Sequence, residues 1–263
     1  MKRVLQLLRT VRYLKWRQIY FRIYYRLTCP KLSPKPLPKK RNILGKWDTP
    51  RYLQPATSDG IAFKFLNVIG QINSVQQNDK LWRYHAHYHD DLNSVVADSN
   101  VELCQKLVDN WILMNPSITG EGWEPYCISL RCVNWIKWFS RLDEAKINPL
   151  WVKSLACQID VLDQRIEYHI LGNHIFANAK ALIFAGVYFG GKRGDRWLAK
   201  GLRLLKREIS EQFLNDGAHY ELSPMYHAIL LWDIADLIFL SQLSQLPMLK
   251  DLSNHLQQQF LKG

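Results

Sequence analysis

Gly172-Asn-His-Ile-Phe-Ala-Asn-Ala-Lys-Ala-Leu182 and Glu221-Leu-Ser-Pro-Met-Tyr-His227 decide how this chain is read. Each opens an apolar run with a helix-start signal. In the second, Ser223 suits the N-cap, Pro224 suits the first helical position, and Tyr226 then falls at the third. A helix of this kind presents unpaired N–H groups and the positive end of its dipole to its first residues. A phenol ordinarily titrates near ~10, so a tyrosine placed there is set up to carry negative charge. In the first segment, Asn173 follows Gly172 and precedes a run predicted helical over 174–189, where it could serve simply as a cap.

Outward from these two segments the pattern stays helical. Helices are predicted over 98–114, 125–142, 148–171, 174–189, 196–214, 223–244 and 248–261. Gly120-Glu-Gly-Trp, Gly190-Gly191 and Asp216-Gly217 act as turns. No stretch after residue 80 keeps a period of two, so the body reads as all-α, built of successive helical hairpins. Phe63, Phe65 and Val68 hint at one short extended piece before it. On the predicted helix 125–142, Arg131, Asn134 and Trp138 fall at i, i+3 and i+7 on one face. A guanidinium, an amide and an indole together would suit an anionic sugar chain, and a helix face packed on its neighbours is the plainer reading.

The chain has 263 residues with ten Trp and twelve Tyr, enough for one large folded body. Tryptophans at this density serve helical packing or sugar-binding clefts. Five widely spread cysteines (Cys29, Cys104, Cys127, Cys132 and Cys157) show no zinc spacing and read as core residues or free thiols. His85, His87 and His89 alternate but make a weak metal site, and no metal or other cofactor is expected. No apolar run of the ~18 residues that span a bilayer is expected, and no cleavable signal peptide is evident. The compartment therefore stays open between the periplasm and a cytoplasmic or peripheral-membrane location.

The net charge of +12 is unevenly placed. Residues 1–46 hold fourteen Lys or Arg and no acid, which leaves the rest near −2. Residues 3–27 read as a basic helix, followed by a proline-rich connector from Cys29 to Lys46. The division expected is an arm over 1–46 and a helical body over 47–263. Basic and aromatic residues over 1–28 could dock on an anionic membrane surface or simply pack on the body. Nucleic acid is the weaker partner, because no nucleic-acid fold motif accompanies them.

Taken together, Gly172-Asn173-His174 with Ala179-Lys180-Ala181, and Gly217-Ala-His-Tyr-Glu-Leu-Ser-Pro-Met-Tyr226-His227, resemble the heparinase II/III-like polysaccharide lyases. Leu81-Trp-Arg-Tyr-His-Ala-His-Tyr-His89 and the segment from Gly122 through Glu124 to Lys137 extend the resemblance. It implies an incomplete α/α-toroid and a carbon–oxygen lyase that cleaves a bacterial or host uronate polysaccharide by β-elimination. It implies catalytic roles for Asn173, His174 and Tyr226, and the substrate contacts expected beside them are Arg131, Asn134, Trp138, Glu124 and His227. It implies a further β-sandwich too, and none follows Gly263 in this sequence. The expectation is therefore a truncated toroid whose partner is a missing C-terminal domain or second chain. The alternative is a non-catalytic fragment that binds or assembles the acidic polysaccharide.

Overall fold

The structure, a computed structural model, describes residues 11–32, 36–41, 46–71, 79–244 and 246–262. Nine α-helices and one two-stranded hairpin make up the regular structure among these residues. They are α1 (Trp16–Leu27), β1 (Ala62–Phe65), β2 (Val68–Gln71), α2 (Lys80–Ala86), α3 (Val101–Met114), α4 (Pro125–Phe139) and α5 (Pro149–Gln164). Then follow α6 (Asn173–Tyr188), α7 (Gly191–Gln212), α8 (Pro224–Ser244) and α9 (Pro247–Lys262). The all-α expectation holds, and the extended hint at Phe63 and Val68 is the antiparallel β1–β2 hairpin.

The helices start where local chemistry says they should. Asn100 and Asn148 cap α3 and α5 by accepting from Leu103 N–H and Leu150 N–H. Pro125, Pro149 and Pro224 occupy first helical positions, where a missing N–H costs nothing. Two predicted boundaries move. The helix expected over 148–171 ends at Gln164, where Arg165 leaves helical geometry (φ −128°, ψ 34°), and Leu171 and Gly172 then take positive φ (74° and 60°) just before α6. The helix expected from 196 begins at Gly191, with Gly190 as its N-cap, so that glycine pair starts a helix and does not merely separate two.

Helix α6 is the axis of the body. Every residue from Ile175 to Tyr188 is buried, as an element apolar on all sides must be. It packs against α4, α5, α7 and α8. Helix α7 meets it along a stripe of Gly194, Trp197, Leu198, Gly201, Leu204 and Leu205. The approach is so close that a Cβ on Gly194 would stand 1.9 Å from the Phe189 carbonyl oxygen. Short connections make α6–α7 and α8–α9 hairpins.

The aromatic residues settle into this core. Seven of the ten tryptophans (Trp47, Trp82, Trp111, Trp135, Trp138, Trp151 and Trp197) are buried, which decides for packing over sugar platforms at those positions. Of the alternating histidines, His85 stacks on Phe65, while His87 and His89 are buried and accept from the indole N–H groups of Trp111 and Trp135 at 3.1 and 2.9 Å.

The basic arm lies on the body. In α1, Phe21 packs on Tyr168 with ring centroids 4.6 Å apart, and Tyr25 donates to the Ile166 carbonyl at 2.7 Å. Farther on, Gly190 N–H donates to Lys39 O, and Arg41 N–H donates to Tyr188 O. Residues 1–10, 33–35 and 42–45 of the predicted arm lie outside the described residues.

Helix α8 corrects the expectation that no apolar run reaches membrane length. It is 21 residues long and contains an 18-residue stretch with a mean hydropathy of 1.3, enough by length and composition to cross a bilayer. Nearly half of that stretch is buried inside the body, and it carries two buried aspartates, Asp233 and Asp236.

Burial, aided by the neighbouring Arg131 charge, pushes the His87 imidazole down to about 3 and the His89 imidazole well below its ordinary value. In the unfolded chain both titrate near ~6.5. Their pKa values are lower when folded, so the unfolded state binds more protons below that pH, and acid favours unfolding. Stability should fall as pH drops from about 6.5 toward 3, by on the order of 1 kcal/mol per pH unit for each imidazole. Urea midpoints measured across pH 7 to 4 should show this slope, and His87→Gln should flatten it.

Candidate functional site

The N-termini of α4 and α6 meet at one end of the body, the loop before α8 is tied to the turn before α6, and the predicted catalytic residues are on α6 and α8. Asn173 is the first residue of α6, Tyr226 the third of α8, and Tyr126 the second of α4. The Asn173 side chain hydrogen-bonds the Tyr126 phenol, whose ring lies 4.5 Å from that of His174. On the other side, the Gln212 amide donates to the Gly172 carbonyl at 2.9 Å, and its oxygen lies 3.4 Å from His219 Nε2. The His219 ring is 6.3 Å from that of Tyr226. One buried glutamine thus ties the turn before Asn173 to the loop before Tyr226. Gly172, at φ 60°, is the N-cap of α6. Asn173 is therefore not the cap, and its amide is available to other partners.

His174 is held from behind. Its Nδ1 lies 3.0 Å from Oε1 of Glu167, which is 3% exposed, while the imidazole keeps a quarter of its surface open. The other Glu167 oxygen accepts from Asn178 Nδ2 at 3.0 Å, and the same amide donates to Ser129 Oγ. A carboxylate on Nδ1 fixes the ring and leaves Nε2 as the nitrogen that can meet a ligand. Tyr126 is kept a neutral phenol: burial raises its pKa, and the charges of Asp233 and Glu167 add to the effect. Burial lowers the pKa of His219, so it too is neutral.

Deeper between α4, α6 and α8 lies a buried ionic cluster. Lys180 Nζ meets Asp233 Oδ1 at 2.6 Å and also Asp236, while Lys137 Nζ meets Asp236 Oδ2 at 2.6 Å. Burial works against the Lys180 charge, but the two aspartates outweigh it and hold its pKa above the ordinary lysine value. Burial likewise opposes ionisation of Asp236, but Lys180 and Lys137 together hold its pKa below the ordinary carboxylate value. These side chains wall a crevice of about 110 Å³ with Asp90, Asn134, Ala177 and Trp232. It opens to a groove of about 540 Å³ flanked by Trp47, Arg51, Tyr52 and Arg141.

Of the predicted substrate contacts, Asn134 lines this crevice and donates to Asp90 Oδ1 at 2.8 Å. Glu124, at the N-cap of α4, is held by Tyr84 and Lys80. His227 is half-buried in the first turn of α8. Arg131 and Trp138 must be withdrawn, because both are enclosed in the core, 0% and 1% exposed. The Arg131 guanidinium lies 3.8 Å from the Trp111 ring and spends its N–H groups on Gln158, the His87 carbonyl and the Gly122 carbonyl. An i, i+3, i+7 pattern marks a common face but not whether it looks outward.

Sequence reading missed Tyr126, Glu167, Gln212 and the ionic cluster. Glu167 was hidden because its loop had been assigned to a helix. Lys180, Asp233 and Asp236 did leave a signal: lone charges inside otherwise apolar helical runs require buried partners.

The family model for the heparinase II/III N-terminus matches residues 65–261. A heparin-sulfate lyase of Bacteroides thetaiotaomicron is 28% identical over 149 residues, 52% of this chain and 21% of that protein. One from Pedobacter heparinus is 44% identical over 62 residues, 23% of this chain and 9% of that protein. The crystal structure of heparinase III superimposes with a TM-score of 0.51 at 24% identity, covering 67% of this chain and 29% of that one, a likeness of fold. The matches thus span about a fifth or less of the curated relatives' length.

Replacing Lys180 by Met should cost about 3–5 kcal/mol, because Asp233 loses its lysine partner inside the protein and Asp236 keeps only Lys137. Urea denaturation monitored by circular dichroism would measure the loss. Lys15→Met removes an exposed pair with Glu211 and should change the midpoint little.

Proposed function

The chain belongs to the heparinase II/III family through its N-terminal-region match, and we propose that it cleaves a uronate-containing polysaccharide by β-elimination at the meeting point of α4, α6 and α8. The observation that carries this reading is the Gln212 bridge, which ties Gly172, just before Asn173 and His174, to His219, whose ring lies 6.3 Å from that of Tyr226. The names of the relatives favour a glycan of the heparin-sulfate class as substrate.

The chemistry follows from the groups present. A uronate carboxylate enters among helix ends whose free N–H groups favour negative charge. The Asn173 amide and, when its imidazole carries both protons, the Nε2–H of His174 donate to the carboxylate and hold the charge that builds on it when the neighbouring C5–H bond breaks. The Tyr226 oxygen, as phenolate, takes the C5 proton. The electron pair forms the C4=C5 double bond, the C4–O bond breaks, and the leaving oxygen takes the proton back from Tyr226. The tyrosine ends as it began. Tyr126, neutral and bonded to Asn173, positions that amide and offers its ring to the sugar. Asn134, Glu124 and His227 are proposed sugar contacts around this centre.

Incubation with heparan, chondroitin, hyaluronan, alginate and polyglucuronate should raise the absorbance of the unsaturated uronate for at least one polymer. Tyr226→Phe should lower that rate by about 10²-fold or more, and Asn173→Ala by roughly 10²-fold, the effect of removing one transition-state donor. A flat trace with every polymer, beside saturable polymer binding that survives Tyr226→Phe, would replace the lyase with the binding-fragment reading.

A further inference from the structure

Helix α1 shows solvent a face that an ordinary surface helix would hide. Phe21, Tyr25, Arg17 and Gln18 turn inward, onto Tyr168, Ile166 O and Ile170 O. Trp16, Tyr20, Ile23 and Leu27 follow at i, i+4, i+7 and i+11. At ~100° per residue they form one stripe on the opposite side of the helix. All four are exposed, Trp16 to 76% and Leu27 to 80%, and Tyr13 just before them to 84%. The stripe is continuous, since the Trp16 and Tyr20 rings touch edge to face and Tyr20 stacks on Tyr24.

The charges that α1 itself carries beside the stripe have one sign. Arg22 and Arg26 run along its flank and Arg12 precedes it, all three exposed. None of them pairs with a carboxylate among the described residues. The whole stretch 1–46 contains no Asp or Glu. We propose that α1 is an interfacial docking helix that lies flat on an anionic phospholipid surface, with its apolar stripe in the headgroup boundary and its arginines on lipid phosphates. Trp and Tyr favour that boundary, because each has an apolar body and a polar tip. Ile23 and Leu27 decide against a sugar chain as the occupant, since an aliphatic side chain offers a glycan neither a stacking face nor a hydrogen bond. The rigid attachment of α1 to the body means that no folding is needed on docking, and each arginine adds electrostatic attraction to an anionic leaflet. The proposal is independent of the chemistry at Tyr226.

The test is flotation of the full chain with vesicles of phosphatidylcholine alone and of phosphatidylcholine with phosphatidylglycerol. Wild type should float with the anionic vesicles, far less with the neutral ones, and less as salt rises. Trp16→Ser/Ile23→Ser/Leu27→Ser should lose about tenfold or more of that partition while its circular dichroism and thermal midpoint stay unchanged, because all three side chains are exposed. Arg22→Glu/Arg26→Glu should lose the preference for anionic vesicles. The proposal is overturned if wild type stays with the soluble fraction, or if the triple variant floats as well as wild type. It is equally overturned if the triple variant loses only retention on a uronate polymer, or only self-association in sedimentation equilibrium.

Discussion

Everything at the candidate site depends on one buried ion pair, Lys180 with Asp233. Lys180 lies seven residues along α6 from Asn173, and Asp233 lies seven residues along α8 from Tyr226. Seven residues are two helical turns, about 10 Å of rise in each helix. A bond at that level therefore sets the relative height of the two helices and brings Asn173 and Tyr226 level at the open end. Hydrophobic contact alone would not fix this register, because α8 is apolar on nearly every side and could slide or rotate at little cost. Asp236 adds Lys137 and so includes α4, whose own N-terminus contributes Tyr126. Such a cluster is expensive to bury, and its value here lies in geometric uniqueness more than in stability.

The parts legible in the sequence were those fixed by local chemistry. Ser223-Pro224 announced the start of α8 and hence the third-position tyrosine, because a proline at a first helical position needs no distant partner. The hairpin series was legible for the same reason: apolar periodicity is a local record of burial. What escaped was set at long range. Arg131 looked like a surface fork, since its neighbours Trp111, Gln158 and the His87 carbonyl lie 20, 27 and 44 residues away in sequence and cannot be foreseen from helix spacing. The loop 165–172 read as helix because Ile166, Ile170 and Leu171 continue an apolar rhythm. The backbone nonetheless leaves the helix at Arg165 (φ −128°, ψ 34°), well before the positive φ values at Leu171 and Gly172. That misreading hid Glu167, whose carboxylate is the support of His174.

The placement of charge also says what kind of ligand this end of the body attracts. Lys137 and Lys180 are the nearest buried cations, yet each is already in contact with an aspartate, so the four side chains sum to zero and their fields largely cancel a few ångströms away. Glu167 behind His174 adds negative charge, while Glu124 is met by Lys80. By side-chain count, then, the site should repel an anion. What remains to favour one is the backbone: α4 and α6 bring their N-termini together there, and Tyr126, kept neutral, can add a hydroxyl donor without a charge. Donors of this kind hold a carboxylate without saturating it, as two unpaired lysines would. They leave its charge free to grow as the adjacent C–H bond breaks, and growing charge is what an elimination site must stabilise.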